Sequence, residues 1–243
     1  MKLSSVLMSG TVGVAGLCAV SAWGATYDTM SYWNQSSRIQ WFAVPDTTTY
    51  GETFLAPGIG SAPEVGLDSF SFNLKGAEAT TRLDMTAVVF GWSGPLTGAG
   101  GGAVGAPLYI SHEELLYTGN QWETLTVNTP GVALVPGSPY VIALTMSDPD
   151  KFAASIGHAA WALAQAPSTA AGGGGFVFVN SGNTGIESLA GTWSGTRDYG
   201  SLAFQAVFSD DVHQGSVPDS GATLGLLVLG IGAVTAARRK IEA

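Results

Sequence analysis

The chain is short of cysteine and of charge. Cys18 is the only cysteine, and Asp, Glu, Lys and Arg together make up 11% of the 243 residues. Because Cys18 sits in the N-terminal apolar run, nothing beyond it can form a disulfide, a thiol nucleophile or a cysteine metal ligand, and stability there must come from packing. Leu17 places a bulky side chain beside Cys18 where a lipobox needs a small one, which argues against lipidation. Basic residues are scarcer still. Residues 25–212 carry five (Arg38, Lys75, Arg82, Lys151, Arg197) against sixteen Asp and Glu, a formal charge of −11 that excludes nucleic acid as a partner.

Chemistry-bearing patterns are thin as well. His112, His158 and His213 are scattered, with no His-x-His or His-x-x-x-His spacing that would put two imidazoles on one metal. Gly91-Trp92-Ser93-Gly94 closes one residue too early for a nucleophile elbow. Gly100-x-Gly102-x-x-Gly105 matches the dinucleotide fingerprint in letters but precedes a strand instead of a helix, so it reads as loop. Asp148-Pro149-Asp150 and Asp210-Asp211 could give hard oxygen ligands to a structural Ca²⁺, yet neither continues into an EF-hand. Glu113 and Glu114 on one strand point to opposite faces, which leaves a long-range carboxylate pair such as Glu123 with Asp198 as the form a glycosidase would have to take. No catalytic residue, metal or cofactor is assigned.

What the sequence does hold is glycine, 34 residues of it, with short runs of β-branched and aromatic residues between turn formers. Strands are expected at 69–74, 85–90, 107–110, 122–127, 140–146, 176–179 and 202–208, with weaker signals at 38–44 and 159–164. Many short strands without an intervening amphipathic helix give an all-β fold, an antiparallel β-sandwich of jelly-roll-like topology. Gly98–Gly105 and Ala170–Gly175 are expected as loops, and a helical turn near Pro149–Ala154.

The two ends differ from the middle. Lys2, an uncharged run from Val6 to Val20 and Ala22-Trp23-Gly24 form a secretory signal peptide, with signal peptidase expected to cut after Gly24. At the other end, Val217-Pro218-Asp219-Ser220-Gly221 precedes sixteen apolar residues, Ala222–Ala237, and then Arg238-Arg239-Lys240. As a helix that stretch covers about 24 Å, short of the roughly 30 Å of bilayer hydrocarbon. The basic cluster acts as a membrane stop on the cytoplasmic side and places residues 25–216 outside the inner membrane. The organisation is thus a signal peptide (1–24), a sandwich domain (25–209), a linker (210–216) and a tail with a C-terminal apolar helix (217–243).

This tail resembles the VPDSG variant of the PEP-CTERM sorting signal. The resemblance implies recognition of Val217–Gly221 by an exosortase, an integral-membrane protease. It also implies a transient inner-membrane intermediate and delivery to the cell surface or the exopolysaccharide matrix. The stretch Val88–Met146 is similar to a recurring domain of exosortase-sorted proteins, in its Phe90-Gly91-Trp92-Ser93-Gly94 turn, its Pro107-Leu108-Tyr109 strand and its Leu134-Val135-Pro136-Gly137 turn.

Trp92 and Trp193 share a Trp-Ser-Gly setting that reads as a surface turn. There an indole can stack on a pyranose ring, or it can instead close the end of the hydrophobic core. Trp122 and Trp161 are expected in the core. The resulting expectation is a non-enzymatic, surface-sorted sandwich with weak binding of exopolysaccharide through Trp92 and Trp193. The competing classes are an extracellular carbohydrate-active hydrolase and a structural matrix or adhesion subunit.

Overall fold

The computed structural model describes residues 24–43, 48–76, 81–117, 121–147, 155, 157–180, 185–195 and 200–212. Among these the strands, in chain order, are β1 (Gly24–Asp28), β2 (Arg38–Phe42), β3 (Thr49–Leu55), β4 (Val65–Gly76), β5 (Thr81–Ser93), β6 (Gly102–Tyr117) and β7 (Glu123–Leu134). They continue with β8 (Pro139–Thr145), β9 (Ala159–Ala164), β10 (Phe176–Val179), β11 (Gly191–Thr192), β12 (Ser194–Gly195), β13 (Ser201–Leu202) and β14 (Phe204–Ser209). Three short 3₁₀ turns and no α-helix accompany them among the described residues.

The strands form two antiparallel sheets. Sheet I runs β1-β14-β4-β9-β13, with β7 on the far side of β4 and β2 on β9; sheet II runs β11-β6-β5-β8-β3-β10-β12. This is the antiparallel sandwich, and it is consistent with a jelly-roll arrangement. The turn from β7 to β8 shows how local chemistry sets register. Pro136 and Gly137 occupy its centre, the Ser138 N–H returns to the Val135 carbonyl at 3.1 Å, and Gly137 takes φ +75, which a residue with a Cβ adopts only under strain.

Period-two alternation sorts the side chains. On β4, Phe70, Phe72 and Leu74 are buried against sheet II, while Ser69, Ser71 and Asn73 face the other way. Their partners inside the sandwich include Leu83, Met85, Val89, Ile142, Leu144 and Trp161. Each such side chain, fully buried, contributes about 1.5–3 kcal/mol. Sheet II is unusual in being covered on its outer face too. Val88, Phe90 and Trp92 of β5 and Val141 and Ala143 of β8 pack there under Leu189 and Trp193, a second core separate from the first. That double burial explains why β5 and β8 read as nearly unbroken apolar runs in the sequence.

Gly102–Gly105 belongs to β6 and is not loop as expected, because Ala103 pairs with Trp92 of β5 and with Gly191 of β11. Ala170–Gly175 is irregular, as expected: it ends a 3₁₀ turn and then passes so close to β3 that a Cβ on Gly174 would collide with the Thr53 carbonyl. Pro149–Ala154 lies outside the described residues.

Candidate functional site

The residues expected to stack on sugar are not on the surface. Trp92 and Trp193 are only 4% and 2% exposed, and their rings meet edge to face with centroids 5.7 Å apart and planes at 85°. Each indole N–H is spent internally, Trp92 Nε1 on the Pro95 carbonyl at 2.9 Å and Trp193 Nε1 on the Leu189 carbonyl at 2.7 Å. The Trp-Ser-Gly tripeptide is not the expected surface turn in either place: Trp92 and Ser93 end β5, and Trp193 links β11 to β12, whose residues are Ser194 and Gly195, so both indoles seal the outer core of sheet II. Neither offers a face to a pyranose, and the stacking role passes from this pair.

Trp122 also departs from expectation. Trp161 is fully buried in the main core, whereas Trp122 is only partly buried, at the entrance to β7. It meets Trp33 edge to face at 4.7 Å, and the two lie over Ala162, Ala164 and Ala203, a floor of small side chains on the outside of sheet I. Lys75 Nζ stands 5.8 Å from the centre of the Trp122 ring. Trp33 Nε1 donates to the Ser37 carbonyl at 2.9 Å, which fixes that ring. Nothing local in the sequence pairs Trp33 with Trp122. The available signal was the alternating alanines of Ala160-Trp161-Ala162-Leu163-Ala164, whose small residues mark a sheet face on which something large must sit.

The carboxylates are dispersed. Glu113 hydrogen-bonds to Ser111 at 2.7 Å, Glu114 ion-pairs with Arg82 at 3.4 Å, and His112 contacts Asp84 at 3.1 Å. Asp198, the partner considered for Glu123, lies outside the described residues, as do His213 and Asp148–Asp150. Among the described residues no three His, Cys, Asp or Glu side chains group closely enough to hold a metal ion.

One carboxyl was missed. Glu52, on β3, is fully buried on the core side of sheet II, between the positions of Tyr50 and Phe54. Its Oε2 accepts the Leu202 N–H at 2.9 Å, while Oε1 has no partner among the described residues. Burial drives its pKa well above the ordinary carboxylate value, opposed in part by the Leu202 N–H and the Ser201 hydroxyl. Ser201 also lines a cavity of about 230 Å³ with Thr97, Ser168 and Phe176 and three of the surrounding glycines, Gly98, Gly174 and Gly175.

A third surface feature is the free side of β6. Beyond Ala103 its outer edge has no strand partner among the described residues, and Leu108, Ile110 and Leu116 point outward, each about half exposed.

The candidate sorting residues, Val217, Pro218, Asp219, Ser220 and Gly221, with the Arg238-Arg239-Lys240 stop, lie outside the described residues. Among the described residues no helix is long and apolar enough to cross a membrane. Comparison with known proteins addresses this region directly: residues 216–241 match the VPDSG-CTERM motif. No curated protein and no solved structure matches the chain. The match supports an exported chain sorted to the cell surface and processed by an exosortase-type enzyme.

Proposed function

We propose that the β-sandwich is a non-catalytic module that an exosortase-type protease releases from a transient inner-membrane intermediate into the cell-surface polysaccharide matrix. The observation that carries this reading is the VPDSG-CTERM match at 216–241, in which Val217–Gly221 stand next to an apolar stretch too short for a comfortable permanent span. On this reading the stretch Ala222–Ala237 would hold the chain in the bilayer only in transit, and Pro218 and Gly221, both poor helix formers, would favour access of a membrane protease to the residues before it.

Fractionation of the native host, with mass spectrometry of the mature C-terminus, tests the reading. Surface or matrix protein ending within Val217–Gly221 is the expected result. Protein that keeps Arg238–Ala243 and stays in the inner membrane would sink it.

A second reading, a structural matrix or adhesion subunit, is favoured by the side of β6 that has no strand partner among the described residues. A long edge strand with outward Leu108, Ile110 and Leu116 is a template for pairing with another chain. In that case purified protein self-associates, and Ile110→Lys keeps it monomeric.

A further inference from the structure

We infer that the outer face of sheet I, at its Trp33–Trp122 end, is a binding face for an anionic polysaccharide of the polyuronate class. The inference deepens the matrix reading above and rests on it for its biological setting. Its physical argument is independent of the sorting tail.

The register brings the parts to one face. Arg38 is opposite Ala162, Lys75 is opposite Ala160, and Ala160, Ala162 and Ala164 alternate with the inward Trp161 and Leu163. Arg38 and Lys75 therefore project on the same side as the alanine floor beneath Trp33 and Trp122. With β9 between them, two strand spacings and a two-residue offset separate their Cα atoms by roughly 12 Å. The face continues as a polar row. Asn73 Oδ1 accepts from the exposed Thr124 hydroxyl at 2.6 Å and Gln205 is half-buried beside them, while Ser71, itself buried, joins Thr126 at 2.9 Å and ties β4 to β7 beneath the row. A sheet face of amides and hydroxyls ending in two partly exposed indoles does not suit an apolar protein partner. It suits a polyhydroxylated chain, whose hydroxyls exchange hydrogen bonds with such rows while its ring C–H faces contact indole.

Charge selects among such chains. Of the described residues only Arg38, Lys75 and Arg82 are Lys or Arg, and Arg82 is paired with Glu114 on the other sheet. The other two both lie on this face, and neither has an ion-pair partner among the described residues. With the Gln40 amide oxygen turned toward it, the Arg38 guanidinium donates at 2.9 and 3.1 Å and is held in place without being neutralised. Asp28, on the same face at its β1 edge, accepts the Met30 N–H at 2.8 Å and keeps its negative charge, but it forms no ion pair with Arg38 or Lys75 among the described residues. In a chain of net charge −9, two cations without an ion-pair partner among the described residues, beside a tryptophan pair, form a local site for carboxylates carried on sugar rings.

The test uses the full-length chain, purified in detergent, in native affinity electrophoresis through gels containing polygalacturonate or, as the neutral control, dextran. Retardation by polygalacturonate that weakens as salt is raised, with little by dextran, is expected. The double variant Arg38→Gln/Lys75→Gln changes only exposed or half-exposed side chains and should lose at least about tenfold in apparent affinity with an unchanged thermal melt. Trp122→Ala should lose affinity by a similar factor. Equal retardation by dextran, affinity within about twofold of the parent in the charge variant, or no retardation at all would each overturn the inference. Because retention is read on purified protein, it stands or falls separately from where the cell delivers the chain.

Discussion

The Glu52 carboxyl accepts the backbone N–H of Leu202 at 2.9 Å, so a single side chain inside the core joins β3 of sheet II to β13 of sheet I. Its pKa is raised well above the ordinary value, chiefly by burial. The folded chain therefore holds this proton at pH values where the unfolded chain has released it. The stabilisation is complete below the ordinary Glu range and declines as pH rises from there toward the folded pKa, with a slope approaching about 1.4 kcal/mol per pH unit. Urea melts across that window should show the decline, and Glu52→Gln should remove most of it. A parent and a variant with the same slope would exclude Glu52 as its source.

Trp193 should behave as a core residue. Trp193→Ala leaves a void over Val88, Phe90 and Val141 and exposes the second core, costing about 3–5 kcal/mol in chemical unfolding. Trp92→Ala should fall in the same range. Neither change should alter polygalacturonate retention where the variant is folded.

Trp41 presents the opposite case. It sits in left-handed backbone at φ +74 and is 59% exposed, its ring edge to face with His158 at 5.6 Å. Trp41→Gly relieves the backbone and gives up little burial, so stability should be unchanged or higher by up to about 1 kcal/mol. A clear loss on thermal melting would show that the ring contact outweighs the strain.

Gly174 has no room for a side chain. A Cβ there would overlap the Thr53 carbonyl, which is backbone of the neighbouring strand and cannot swing aside. Gly174→Ala should cost about 3 kcal/mol or more, seen as a lowered midpoint with an unchanged denaturant slope.

In the tail, the proposed release is tested by replacing Pro218 and Gly221, the two poorest helix formers of the Val217–Gly221 sequence, together by alanine. The variant should accumulate in the inner membrane with its basic terminus intact. Normal release would show that this segment is not the recognition element.

Strands whose alternation is clean were legible in the sequence. Phe176–Val179 and Ala159–Ala164 form at the predicted bounds, and 69–74 and 85–90 are the centres of longer strands. The strand Thr49–Leu55 was not found, because Gly51 and Glu52 interrupt its apolar pattern. Gly51 is there since a Cβ would press on the Ile142 carbonyl, and Glu52 is tolerated only through a partner 150 residues away. The tryptophans failed for a related reason. Whether an indole closes a core or lies on a face depends on what crosses over it, and Trp193 over sheet II and Trp33 beside Trp122 are long-range facts that a tripeptide such as Trp-Ser-Gly does not encode.

The pairing of Gly24–Asp28 with Gln205–Ser209 also sets an order in time. The first strand of the domain has no edge to join until the last has arrived, some 180 residues later. A chain threaded through a membrane from its N-terminus cannot complete sheet I while its C-terminal strand is still on the near side. The same contact that completes the domain thus keeps it open, and so translocatable, until residue 209 has crossed.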